Sequence, residues 1–118
     1  METQDHAISH ERTPEGLVVR IRGRFDRAAG VDIEAVLADT AKAGDVVVLS
    51  LEGVEYISSS GVASLVKLSA GQGIRIAAAP QCVMHTIGLA GIEKILHLYA
   101  SEATALQGVG DGSPPGGL

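Results

Sequence analysis

Three consecutive serines and a glycine, Ser58-Ser59-Ser60-Gly61, stand between an apolar run that has just ended and a periodic apolar stripe that begins with Val62. Hydroxyls grouped at the start of a helix can do two kinds of work. One accepts a hydrogen bond from a free backbone N–H of the first turn and caps the helix. Another can carry a phosphoryl group, whose charge meets free N–H groups and the positive end of the helix dipole while the surface shown to a partner changes sharply. Capping alone needs a single serine. No Glu or Gln stands three residues beyond any of the three, where Gly61, Val62 and Ala63 are found, so no capping box competes for them.

The remaining chemically capable residues are less well placed. Four histidines raise metal binding, with His6 and His10 the nearest pair in sequence. In an extended segment these two are ~13 Å apart, beyond the shared reach of one ion with ~2 Å bonds. No Cys or carboxylate spacing completes a ligand set, so solvated histidines and no metal are expected. Cys82, the lone cysteine, falls near the start of a short helix, where a thiol can be activated. Beside Val83 and with no base in sight, it is expected to be a small core residue. Gly71 and Gly73 precede a strand instead of following one, so they end a helix and do not cradle a nucleotide. Asp32, Glu34 and Asp39 lie off the apolar stripe of their helix and read as a solvated surface. With neither a nucleophile–base pair nor a metal, the chain is not expected to be an enzyme or to hold a cofactor.

Composition narrows the partners. The 118 residues suffice for one domain and are too few for two, and 46% hydrophobic content supports a packed core. Aromatics at 3%, with no Trp, leave no platform for stacking bases, and 9 Lys+Arg against 14 Asp+Glu give −5, the wrong sign for neutralising phosphates. Nucleic acid is excluded as a partner on both counts. The polar start METQDHAISHER lacks a signal peptide's pattern, and no apolar stretch approaches a membrane span. A single Cys fits a reducing compartment, so a cytoplasmic location without membrane insertion is expected.

The elements that must position the serines can be read from periodicity. Leu17, Val19 and Ile21 alternate with Val18, Arg20 and Arg22, a strand with one face buried and one wet, and Ala7 to Arg12 forms a hairpin with it across Pro14-Glu15-Gly16. Ile33, Val36, Leu37, Thr40 and Ala41 make a helical stripe, with Gly44 as its stop. Val46 to Leu49 is the central strand and Glu52 to Ile57 a turn-like segment. The serine run then opens a helix through Val62, Leu65, Val66 and Ser69. A strand (Ile74 to Ala79), a helix (Pro80 to Ala90, Val83 and Ile87 inward), a strand (Ile95 to Tyr99) and a final helix capped by Ser101 complete the order. The fold class is therefore α/β: a mixed, mostly parallel sheet with an N-terminal antiparallel hairpin and successive βα units. Arg20, Arg22, Arg75 and His97 on alternate strand positions require most helices to cover one face. Residues 5–107 make one domain. Residues 108–118, GVGDGSPPGGL, form a Gly/Pro-rich tail expected to be disordered.

Taken in order, these stretches resemble the STAS family, whose fold is that of bacterial anti-sigma factor antagonists. Gly23-Arg24-Phe25-Asp26 is similar to the family's Gly-Glu-Leu-Asp, VVVLSLEGVEYISSSG (Val46 to Gly61) to its strand, loop and Asp-Ser-Ser-Gly, and Ala79-Pro80 to the entry into its third helix. Gly88 to Ile92 and Ile95 to Ala105 match its last helix, strand and helix, so the likeness spans about residues 5 to 107. The resemblance implies a STAS-like sheet and a switch protein that binds a serine-kinase-type anti-sigma factor and frees a sigma factor. It implies that phosphorylation of the serine before the glycine, Ser60, ends the binding, with Ser59 the second candidate. The partner-binding edge it implies comprises Asp26, Ser58, Ser59, Ser60, Gly61 and Val62. Ser58 and Ser50 stand where the family carries aspartates. The alternative it leaves open is a phosphorylation-independent scaffold or an accessory subunit of a transport system.

Overall fold

The structure, a computed structural model, describes residues 6–108. One five-stranded sheet in the order β1-β2-β3-β4-β5 sets each strand beside its predecessor. β1 (His6–Thr13) pairs antiparallel with β2 (Gly16–Phe25), and β3 (Val47–Ile57), β4 (Arg75–Ala77) and β5 (Leu98–Tyr99) follow in parallel. The crossovers are α1 (Arg27–Thr40), α2 (Ser59–Val66) continued by a π-helical turn Lys67–Gly71, and α3 (Gln81–Ala90) with a 3-10 turn Glu93–Ile95. α4 (Glu102–Gln107) ends the described chain. The mixed sheet with its N-terminal hairpin is the architecture expected from periodicity. The hairpin turn is held by Thr13, whose Oγ1 accepts from the Glu15 and Gly16 amides at 3.1 Å each.

α1, α2 and α3 share one face. Leu17, Val19, Ile21 and Phe25 of β2, Leu49 and Leu51 of β3, and Ile76 of β4 meet Ala29, Ile33 and Leu37, then Leu65 and Leu68, then Val83 and Ile87. On the other face α4 alone packs among the described residues, through Ala105 onto Val18, Val48 and Ala77. Val18 is therefore fully buried, not wet as its alternation suggested. Polar bonds hold α4 in place: Arg20 forks onto Glu102 at 2.8 and 2.9 Å and reaches Glu11 at 3.0 Å, while Arg75 donates to the Ala105 carbonyl at 2.7 Å. Both arginines thus lie on the face with fewer helices. Ser101 caps α4 in a reciprocal box with Thr104.

Three local expectations are corrected. The segment Glu52 to Ile57 is not a turn but the second half of β3. Its pairing with β2 jumps from Arg20↔Ser50 to Arg22↔Gly53 and from Gly23↔Val54 to Arg24↔Tyr56, so β3 carries an extra residue at each jump. These bulges keep Val54 and Ile57 buried although three positions separate them, which erases the period-2 signature. α1 stops at Thr40 with the Ala41 amide on the Leu37 carbonyl, ahead of Gly44, which supplies a positive φ of 87° in the turn that follows. The expected strand from Ile95 shrinks to Leu98–Tyr99: a 3-10 turn takes Ile95, and the exposed His97 precedes the strand with its carbonyl accepting from the Ile76 amide at 2.8 Å. The expected tail, apart from Gly108, and the expected domain start at Asp5 lie outside the described residues.

Candidate partner-binding edge

β2 and β3 end side by side, Phe25 in register with Ile57, and both chains turn there into helices. The Ser58 amide donates to the Phe25 carbonyl at 3.0 Å, which ties the two turns together. Each turn is closed by its own cap. Asp26 Oδ1 accepts from the Ala29 amide at 3.1 Å and starts α1, and Ser58 Oγ accepts from the Gly61 amide at 3.0 Å and starts α2. The first of the three serines is thus the cap, and Ser59 and Ser60 are exposed on the first turn of α2.

Gly61 is buried, and its role is internal. A Cβ there would overlap the Phe25 carbonyl oxygen and lie 2.9 Å from Ile57 Cγ1. Glycine is required because the sheet edge and α2 touch backbone to backbone, so enlarging it disturbs the fold as well as any surface. Val62 is half-buried and packs on the main core. Of the six residues proposed from the sequence, Asp26 and Ser58 shape the edge, Gly61 and Val62 anchor it, and Ser59 and Ser60 face solvent.

Sequence reasoning missed Arg24 and Tyr56. The bulge at Glu55 brings them into register, and the Arg24 guanidinium stacks 4.4 Å from the centre of the Tyr56 ring while its Nε lies 3.4 Å from Asp26 Oδ2. Tyr56 remains 46% exposed. The only signal was their types, since the alignment depends on a bulge that periodicity does not reveal. Arg and Tyr are among the residue types enriched at the centres of protein interfaces.

Three side chains sit elsewhere than expected. Cys82 is exposed, with Sγ 3.9 Å from the Val54 carbonyl, because Val83 and Ile87 take the inward positions of α3 and turn their neighbour toward the edge of β3. His6 is not solvated: its side chain is 8% exposed and its Nε2 lies 2.8 Å from Asp32 Oδ2, joining β1 to α1. Glu34 likewise pairs with Lys67 at 3.1 Å, joining α1 to the π-helical turn that continues α2. Among the described residues no three His, Cys, Asp or Glu side chains gather as a metal site. Nor is any helix there long and apolar enough to cross a membrane.

A family model described as "Mlab, STAS domain" matches residues 8–98. The chain belongs to the STAS-domain family. No protein of curated function matches it in sequence. Among solved structures, this STAS domain is similar to an anti-sigma factor antagonist from Mycobacterium paratuberculosis, with a TM-score of 0.70 and 24% identity over 92% of this chain and 98% of that one. It is also similar to the anti-sigma factor antagonist SpoIIAA in its unphosphorylated form, with a TM-score of 0.63 and 20% identity over 87% of this chain and 96% of that one. A protein of Shewanella loihica with a SpoIIAA-like fold matches at a TM-score of 0.55 and 14% identity over 92% of this chain and 98% of that one. At these identities the likeness is one of fold.

Proposed function

We propose that this STAS domain is an anti-sigma factor antagonist that docks a serine-kinase-type anti-sigma factor through the edge of Asp26 and Ser58 to Val62, releases a sigma factor, and is switched off by phosphorylation of Ser60. The observation that carries this is the division of labour among the serines. Ser58 alone caps α2, which leaves the Ser60 hydroxyl exposed and uncommitted on a helix start with no acidic residue in its first turn. In the modification, the Ser60 Oγ–P bond forms as the bond from the γ-phosphorus of the partner's ATP to its bridging oxygen breaks. The hydroxyl proton passes to the partner or to solvent, and ADP leaves. The chain supplies the acceptor and no catalytic group, consistent with a cytoplasmic binding module that holds no cofactor.

The alternative, a constitutive scaffold or transport-system accessory subunit, is favoured by one feature. Ser58 and the buried Ser50 replace the family's aspartates, and the remaining Asp26 is engaged by Ala29 and Arg24, so none of these three positions offers a free carboxylate to orient the Ser60 hydroxyl. Incubation with serine-kinase-type anti-sigma factors, each shown active on another substrate, followed by mass-spectrometric mapping of phosphate, separates the two. Phosphate on Ser60, absent from Ser60→Ala, supports the switch. Stable binding of a partner without phosphate transfer supports the scaffold.

A further inference from the structure

The first position of α1 is a poor place for a cation, yet Arg27 occupies it. It stands at the positive end of the helix dipole with no acidic residue in the first turn, and it is exposed. Among the described residues it makes no ion pair. The neighbouring Asp26 carboxylate is taken up by the Ala29 amide and by Arg24. Helix stability does not account for Arg27.

Arg27 opens α1 beside the start of α2. The two helices start at adjacent strand ends and run in the same direction, and two contacts set their register. Glu34 meets Lys67 at 3.1 Å, and one turn nearer the helix starts Gly30 faces Ser64, with room so limited that a Cβ on Gly30 would lie 2.9 Å from Ser64 Cβ. One further turn back, three residues on α1 and four on α2, reaches Arg27 and Ser60. Gly61 turns inward to the Phe25 carbonyl, and Ser59, ~100° around the axis from Ser60, leaves the seam. By this spacing Ser60, of the two exposed serines, is the one on the side of α2 that meets α1.

We infer that Arg27 is the built-in counter-cation for a phosphoryl group on Ser60, drawn across the seam to donate its guanidinium N–H groups to the phosphate oxygens. This rests on the role proposed above for Ser60 and adds its consequence: phosphorylation redirects Arg27 as well as adding charge, so the edge loses a free cation where it gains a dianion. Both changes face the partner.

The test installs phosphoserine during translation, so no kinase is involved, and follows the phosphate by 31P NMR across pH. A phosphate held by Arg27 should complete its second ionisation below the ~6 of ordinary phosphoserine. Arg27→Gln should weaken that acid constant about three- to fivefold, Arg27→Lys should retain most of the effect, and phosphoserine at position 59 should not respond to Arg27→Gln. Arg27→Gln leaves the unmodified fold intact, since it removes a cation from a helix start. An unchanged titration of phosphoserine 60 in Arg27→Gln, or an equal shift at position 59, overturns the assignment. A partner kinase that leaves Ser60 unmodified contradicts the proposed function alone and does not alter this titration.

Discussion

Replacing Gly61 with alanine adds one methyl group where α2 meets the sheet edge backbone to backbone. The new Cβ collides with the Phe25 carbonyl oxygen and lies 2.9 Å from Ile57 Cγ1. Neither neighbour yields easily. Phe25 is fully buried and its carbonyl already accepts from Ser58 at 3.0 Å, so relief requires α2 to lift from the sheet and stretch that bond. Overpacking of this kind costs about 1–3 kcal/mol and a weakened hydrogen bond about 1 more, against a gain of up to about 1 from replacing glycine in a helix. The net loss is about 2 kcal/mol, which lowers the melting temperature by roughly 10 °C in a domain of this size. Urea titration of wild type and Gly61→Ala, with Ser60→Ala as a surface control, measures it. A Gly61→Ala variant as stable as wild type refutes the claim that the glycine is required by the fold.

Three further predictions follow from the same contacts. Ser58→Ala should lose about 1 kcal/mol of stability in urea titration and Ser60→Ala less than about 0.5, because only the former deletes a cap. Arg20 hydrogen bonds hold the Glu102 carboxyl below its ordinary range, with a smaller contribution from Ser50, so the unfolded chain binds this proton more readily than the folded one. The stabilisation is therefore complete above the ordinary glutamate pKa and lost as pH falls through the lowered one. Glu102→Gln should remove about 1 kcal/mol at neutral pH, discounted for partial exposure, and flatten the acid limb of the stability profile. In a double-mutant cycle on Arg24 and Tyr56, the pair should couple by about 0.5–1 kcal/mol, and additive single losses would show that the stacking contributes nothing.

How far the sequence could be read depended on whether a residue's role was local. Val83 and Ile87 were legible as inward because a helix's period is a property of its own chain, and so was Ser101 as a cap. The second half of β3 was not, since its two bulges exist to match β2, and a pattern broken in order to fit a neighbour resembles a turn. The same holds at the edge. The serine run and Asp26 stood out by type and position, but which serine caps, why Gly61 is glycine and what Arg24 touches are set by the parallel pairing of Phe25 with Ile57. His6 and Cys82 exchanged their expected environments for a similar reason. Each is decided by an element distant in sequence, α1 for the histidine and β3 for the cysteine.

The central claim is that Ser60 on this edge switches a partner, and calorimetric titration of a serine-kinase-type anti-sigma factor with the unmodified protein and with the protein carrying phosphoserine at position 60 tests it most directly. The expected result is a saturable complex with the unmodified protein and at least a hundredfold weaker binding of the phosphorylated one, about 2.7 kcal/mol or more, from a charge placed in a desolvated interface. Equal affinity of the two forms would contradict the account.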